Sequence, residues 1–403
     1  MILAMLLRPR GIAEAYWACA GALLLMGTGQ IDLSAAIGAI ESGTQVYLFL
    51  AGMMLLSEVA RQEGVFDWVA DAAVRRAKGS SVRLFLLVYF AGTIITTLLS
   101  NDATVVVLTP AVLAAVRRAQ VEPRPHLLAC AFVANAASFV LPVSNPANLV
   151  VFGNALPPLE IWLIRFGPAA LVAVGATLLI LLRLERRELR EPFAAPSGPK
   201  RLSSCGRVAF AALIASAAAL VIVSLTGRNL GLATLAAGGA TALIVRGRRP
   251  AALFDLAKQI SWSVLPLVAG LFVLVAALEG SGVSALLGAA LRHLGKWPAA
   301  AGSLAAGFAS GLTANAMNNL PVGLLVAGAV HAFHPPTHLT SALLVGVDLG
   351  PNLSITGSLA TILWLVALRR ENVRVSAGQF LRLGAIVMPL ALAASLLVLG
   401  LNF

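Results

Sequence analysis

An all-α polytopic membrane protein is the fold class the sequence predicts, with about nine transmembrane crossings, two re-entrant helical hairpins and two broken helices in an inverted-topology repeat. Three observations carry that expectation: the composition, the length of the apolar runs, and polar clusters set inside some of those runs. Hydrophobic residues make up 59% of the 403 and charged residues only 11%, where a soluble domain has about 25% charged. Mean hydropathy is +0.90. The apolar runs, at roughly 20 residues each, suit helices crossing a hydrocarbon core of about 30 Å. The short alternating segments of a transmembrane barrel are not found.

The opening MILAMLLRPR has too short an apolar run, on the wrong side of its basic residues, for a cleavable signal peptide, so this segment is expected to be retained. A net charge of +12 could suggest nucleic acid, but the 29 Lys and Arg are dispersed over short inter-helix loops and read as topology signals. Cys19, Cys130 and Cys205 are far apart, odd in number and without a CxxC pair, which argues against a disulfide framework and a structural zinc site.

Crossings are expected near 14 to 29, 44 to 60, 127 to 154, 160 to 182, 208 to 227, 231 to 246, 262 to 278, 339 to 368 and 378 to 400. Residues 82 to 116 and 299 to 330 each hold two apolar runs, a little short for crossings, around a polar cluster; these are read as re-entrant hairpins with tips SNDAT and MNNLP. With a cytoplasmic N-terminus, this arrangement puts 25 of the 29 basic residues inside, as the positive-inside rule requires. The C-terminus then lies outside, in a cell inner (plasma) membrane. Reading either hairpin as one crossing would invert every later loop. Residues 183–207, of mixed charge and then rich in Pro, Ser and Gly, read as a solvated cytoplasmic linker between a first repeat, 1–182, and a second, 208–403.

The halves match at a nearly constant separation. LAGMMLL from Leu50 and VAGLFVL from Val268 lie 218 positions apart, as do Gly64-Val65 and Gly282-Val283; the tips Ser100-Asn101-Asp102 and Met317-Asn318-Asn319 lie 217 apart. SNPANLVVFG from Ser144 then faces GPNLSITGS from Gly350 at about 207. The linker places matching segments on opposite faces, so the repeat is expected to be inverted, with a solute site at the midplane where discontinuous helices meet. The span at 208 to 227 has no full counterpart before residue 14, so the first helix of the first repeat is expected to be truncated.

LPVSNPANLVVFGN (Leu141 to Asn154) and DLGPNLSITGS (Asp348 to Ser358) put Pro and Gly among Asn, Ser and Thr at mid-span. Pro146 and Pro351 should open the helices there, and opened backbone at that depth is tolerated where protein or a water-filled cavity covers it. Helix packing also uses Asn and Ser, but four clusters paired by repeat favour a transport site. Asp102 is the sharpest candidate, because a carboxylate at mid-membrane costs several kcal/mol; it suits proton coupling, and its competing reading is a helix cap. Asp348 is the second proton-coupling candidate. Glu58, Glu279 and Arg165 read as topological, near span ends. The His331, His334, His338 run reads as a surface turn rather than a metal site.

SNDATVVVLTPAV, VSNPANLVVFG, AMNNLPVG and above all GVDLGPNLSITGSLATILWLVALRR resemble the arsenite/antimonite efflux permease family (ArsB type), within the ion transporter superfamily that includes NhaD-type antiporters and dicarboxylate carriers. The resemblance runs from about residue 44 to the end. It implies export of trivalent arsenic or antimony as neutral hydroxides in exchange for protons, with association of a soluble arsenite-stimulated ATPase in some members. It assigns candidate proton-coupling roles to Asp102 and Asp348, and substrate-binding roles to Asn101, Thr104, Asn145, Asn148, Asn318, Asn319, Asn352 and Thr356. The three dispersed cysteines do not supply the tri-thiolate that would suit trivalent arsenic, so capture would rest on oxygen and amide groups. A sodium/proton antiporter is the close alternative, since Asp102, Thr104 and carbonyls could hold a hard cation. An organic or oxyanion carrier comes third, because no arginine lies at the clusters. Neither an HExxH motif nor a nucleophile with its base points to an enzyme, and no cofactor is expected.

Overall fold

The computed structural model describes residues 14–194, 201–226, 228–247, 250–373 and 375–402, and among these the architecture is entirely helical apart from one isolated bridge. Nineteen helices are numbered here in chain order. The first half runs α1 Glu14–Gly27, α2 Leu33–Ser42, α3 Thr44–Gln62, α4 Val65–Arg76 and α5 Ser81–Leu98. Next, α6 starts as Asn101–Ala103, widens into a π-turn over Thr104–Leu108 and resumes as Thr109–Arg118; α7 Pro123–Ala136, α8 Pro146–Phe152 and α9 Leu159–Leu184 follow. The second half runs α10 Ser204–Leu225, α11 Leu230–Arg246, α12 Pro250–Gln259, α13 Val264–Gly280, α14 Val283–Leu294, α15 Ala299–Met317, α16 Asn319–Phe333, α17 Thr337–Leu349, α18 Leu359–Arg370 and α19 Ala377–Leu401.

Four of these helices, α5, α9, α10 and α19, are each long and apolar enough to cross a membrane, and two bent pairs, α2 with α3 and α12 with α13, add to that number. The helices break at both expected tips: α5 gives way to α6 at Leu99-Ser100, with Thr96 and Thr104 hydroxyls 2.7 Å apart across the arms, and α15 gives way to α16 at Asn318. Their first arms, at 18 and 19 residues, are longer than the short runs expected from sequence. Four helices occupy segments read as loops. Helix α2 is capped by Asp32, whose carboxylate accepts from Ser34 Oγ and Ala35 N at 2.8 and 2.7 Å. Helices α4, α12 and α14, of 10 to 12 residues, are too short to register by crossing length. The linker is also less solvated than expected: Leu189 is buried, Ser81 Oγ donates to the Glu191 carbonyl, and Phe193 N to that of Gly79. Arg124 pairs there with Glu185 and Glu188, and burial together with the Glu185 charge holds the Glu188 carboxyl above its usual range.

Helix starts recur at fixed separations, which supports a proposed division into 1–182 and 208–403. Helices α4 and α14 begin 218 positions apart, each behind a glycine in the left-handed region, Gly64 at φ 70° and Gly282 at φ 89°, where a side chain would be strained. The hairpin caps Ser100 and Asn318 keep the same spacing. Helix register therefore sets Asn101 against Asn319, and Asp102 against Leu320. At the broken spans the spacing is 213, not 207: α7 and α17 end at Ala136 and Leu349, and the caps of α8 and α18 are Asn145 and Ser358. Similar letters had paired the wrong turns.

Two large apolar cores interleave the halves. One gathers α3 to α7 with α13 and α18; the other gathers α15, α17 and α19 with α9. Trp364 of α18, fully buried, donates its indole N–H to the Leu127 carbonyl of α7 at 3.1 Å. Helix α15 and the turn that ends α17 touch backbone to backbone: a Cβ on Gly350 would lie 2.3 Å from Gly311 Cα. Gly350→Ala is expected to cost about 1–3 kcal/mol through overpacking, seen as a lower Tm in detergent. Gly175→Ala on α9, where nothing lies within 4 Å of the added carbon, should leave Tm unchanged or slightly raised.

Candidate functional site

Each hairpin tip is built by a cap. Ser100 is extended and its Oγ accepts from Ala103 N at 3.2 Å, which starts α6 and puts Asp102 in its first turn, where a carboxylate complements the helix dipole. Asn101 is buried and its Oδ1 accepts from Asp102 N at 2.9 Å. The π-turn that follows opens the ladder just past the acid, and Thr109 Oγ1 satisfies the Thr104 carbonyl at 3.2 Å; such turns are frequent at functional sites. The Thr104 hydroxyl shares 2.7 Å with Thr96 Oγ1, which ties the two arms together. At the second tip Asn318 adopts a positive φ of 79°, accepts from Leu320 N at 3.4 Å and donates to the Thr356 carbonyl at 3.4 Å. Asn319 is buried and its Oδ1 has no hydrogen-bond partner.

The broken spans unwind for a different reason from the one expected. Helix α7 stops at Ala136, well before Pro146, and Pro146 starts α8 behind the Asn145 cap, a position that suits its missing N–H. Asn148 Nδ2 reaches back to the unwound carbonyls of Ser138, Leu141 and Pro142 at 2.9, 3.3 and 3.3 Å. One side chain thus satisfies what the break exposes. Pro351 sits in the 3₁₀ turn Gly350–Asn352, directly after α17. Asn315 steadies that break, donating to the Gly350 carbonyl at 2.9 Å and accepting from Ser354 Oγ at 2.7 Å. Its own carbonyl accepts from Thr356 Oγ1 at 3.0 Å.

The two breaks are joined. Asn145 Nδ2 donates to Asp348 Oδ1 at 2.7 Å, Asn135 Nδ2 to Asn352 Oδ1 at 3.0 Å, and Asn352 Nδ2 to the Phe132 carbonyl at 3.1 Å. Asp348 and Asn352 are wholly buried, and Asp348 Oδ2 has no hydrogen-bond partner.

A cavity of about 720 Å³ reaches the first tip. Ser100, Asp102, Pro146 and Leu359 line it where hairpin and helix starts converge, and Ser57, Glu58, Arg61, Asp67, Gln259 and Glu371 line it as well. Asp102 is the one member of the sequence-derived set that lines this cavity. Asn145, Asp348 and Asn352 form the joint between the breaks; Asn148 and Thr104 brace their own elements; Asn318 and Thr356 bridge the second tip to the second break. Asn135 and Asn315 belong with them but lie outside the sequence-derived set, because single polar residues among small apolar ones resemble helix packing; Ser354, inside the polar run of the second break, joins them. Glu58, read as topological, faces the cavity. Among the described residues no group of His, Cys, Asp and Glu could hold a metal ion. The cysteines are free: Cys130 is buried and Cys205 exposed.

This geometry has relatives. The arsenical pump membrane protein of Escherichia coli is 25% identical over 418 residues, spanning 98% of this chain and 95% of that protein. An uncharacterized transporter of Mycobacterium tuberculosis is 28% identical over 380 residues, 89% of this chain and 86% of its own. Among solved structures, the Alcanivorax borkumensis YdaH transporter superposes with a TM-score of 0.62 at 18% identity, covering 96% of this chain and 97% of that one. Neisseria gonorrhoeae MtrF, described with a class of antimetabolite efflux pumps, gives 0.56 at 12% identity over 94% and 84%. The similarity is to membrane transporters rather than enzymes. The sequence pattern of the citrate transporter family (CitMHS) matches residues 1–368, and this chain, an all-helical polytopic membrane transporter of the ion transporter superfamily, belongs to that family.

Proposed function

We propose that this protein exports arsenite or antimonite, as the neutral trihydroxide, from the cytoplasm in exchange for protons. The observation that carries the reading is the charge of the cavity: Glu58, Asp67, Asp102 and Glu371 line it against Arg61, and Arg61 is itself paired with Glu58. A citrate-like polyanion would meet like charges there, at a cost of several kcal/mol. A neutral hydroxide meets hydrogen-bonding partners without that cost, and Asp102 at the hairpin tip offers the exchanging proton a place to sit. The similarity to arsenical pumps agrees with this cargo.

Everted membrane vesicles with an imposed pH gradient and a collapsed membrane potential test it, with arsenite, sodium and citrate as separate solutes. Exchange of one proton per arsenite supports about tenfold accumulation for each pH unit. Sodium-coupled proton movement or citrate uptake without arsenite accumulation overturns the reading.

A further inference from the structure

We propose that Glu58 masks Arg61, and that this mask makes the cavity reject anions; it deepens the export reading above, on which the choice of cargo rests. Among the described residues Arg61 is the one basic side chain lining the cavity. Its guanidinium is held one turn away on the same helix, Nε donating to Glu58 Oε2 at 2.8 Å and Nη2 to Oε1 at 2.6 Å. Gln62 Nε2 adds a second bond to Oε1 at 2.6 Å, and Arg61 also donates to Gln259 of α12. Two parallel bonds to one carboxylate are the arrangement by which arginine captures a carboxylate or oxyanion ligand. Here that fork is already filled.

The pair is unevenly placed. The Glu58 side chain is 10% exposed and that of Arg61 43%, so the acid is fixed in the wall while the cation stands toward the cavity. With that pair neutral and Glu371 paired to Arg117 at 3.2 Å, Asp67 and Asp102 set the sign of the lumen. An acid-lined concavity with low-dielectric walls concentrates cations and depletes anions. Remove the Glu58 charge and the balance changes locally: Arg61 keeps a hydrogen-bonding neighbour in Glu58→Gln but presents an uncompensated fork to the lumen. A family whose fold admits carboxylate cargo could thus be turned toward a neutral solute by one acid on α3, without altering the hairpins or the breaks.

Charged thiol reagents read the lumen without reference to arsenite. In the full chain with Cys19→Ser and Cys205→Ser, leaving the buried Cys130, Ser261→Cys places a reporter on the cavity wall beside Gln259. With each rate divided by that for a small free thiol in solution, the cationic trimethylammonioethyl methanethiosulfonate is expected to label this cysteine at least about tenfold faster than the anionic sulfonatoethyl reagent. Glu58→Gln should bring the ratio to about two or below, and adding Arg61→Gln should restore it. Citrate should slow labelling in the Glu58→Gln chain and not in its parent. Should Glu58→Gln not accumulate in the membrane, Arg61→Gln alone must raise the ratio; a fall overturns the mask. A ratio indifferent to Glu58→Gln, or not restored by the second substitution, also overturns it. If the ratio moves as stated while arsenite is not transported, the mask stands and the cargo assignment fails; arsenite export with an indifferent ratio removes the mask alone.

Discussion

Asp102→Asn is expected to abolish arsenite accumulation driven by a pH gradient while leaving the fold intact. The fold should survive because the side chain caps nothing of its own: Ser100 Oγ holds the start of α6 and Asn101 Oδ1 takes the Asp102 N–H, and Asn keeps the volume at a position that lines a cavity. What is lost is the capacity to take up and release a proton. A gradient of one pH unit supplies about 1.4 kcal/mol per proton, enough for about tenfold accumulation at one proton per solute. An amide converts none of it. The internal-to-external ratio in vesicles should therefore fall to about one for the variant at every gradient applied. Accumulation at the parental ratio would remove Asp102 from coupling. Thr104→Val separates the acid from its neighbourhood: Thr104 is buried against Thr96 inside the hairpin, so its loss should lower stability by about 1 kcal/mol without uncoupling transport.

Much of this site was legible because lipid makes polar residues expensive. SNDAT and MNNLP stood out against apolar runs, and both became hairpin tips capped by Ser100 and Asn318. Asn145, Asn352 and Asp348 were read from the broken spans; Asn145 meets Asp348, and Asn352 reaches the other span at Asn135 and the Phe132 carbonyl. What escaped was anything that depends on pairing across the fold. Asn135 sits in an ordinary helical run of α7 and acquires its meaning only through Asn352, 217 residues away. Asn315 likewise looks like the last polar residue of a small-residue helix until Gly350 and Ser354 are placed beside it. Glu58 was read by distance from span ends, which describes depth but not direction, and it faces the cavity. Helices α4 and α14 were invisible to a criterion of crossing length, although the Gly64 and Gly282 pair that starts them was visible as a repeat. The proline reading failed at Pro146 for a local reason. Pro opens a helix only from its interior, and here the chain had already left the helix at Ala137.

The second large effect is expected at the joint between the breaks. Asn145→Ala removes the donor to Asp348 Oδ1 and the cap that Ala147 N uses to start α8. Because Asp348 is wholly buried and its Oδ2 has no hydrogen-bond partner, the substitution strips its carboxyl of the one bond it makes. Leaving a buried carboxyl without its hydrogen-bond donor costs about 1–3 kcal/mol, and loss of a cap adds about 1. Tm in detergent should drop by several degrees, more than for any other substitution named here. Asp348→Asn should do far less, since an amide Oδ1 still accepts from Asn145 at the same geometry, and a preserved hydrogen bond limits the loss to about 1 kcal/mol. The combination discriminates. If the penalty of Asn145→Ala arises from stranding that carboxyl, then adding Asp348→Asn recovers more than about half of it, a coupling of the size double-mutant cycles resolve for residues in contact. If the two losses simply add, the joint is held by the α8 cap alone, and Asp348 has no part in fastening one break to the other. Transport reads the remaining question: Asp348→Asn with parental stability but a flattened response to the pH gradient would assign this acid to coupling beside Asp102, whereas parental accumulation would leave it a purely mechanical link between the halves.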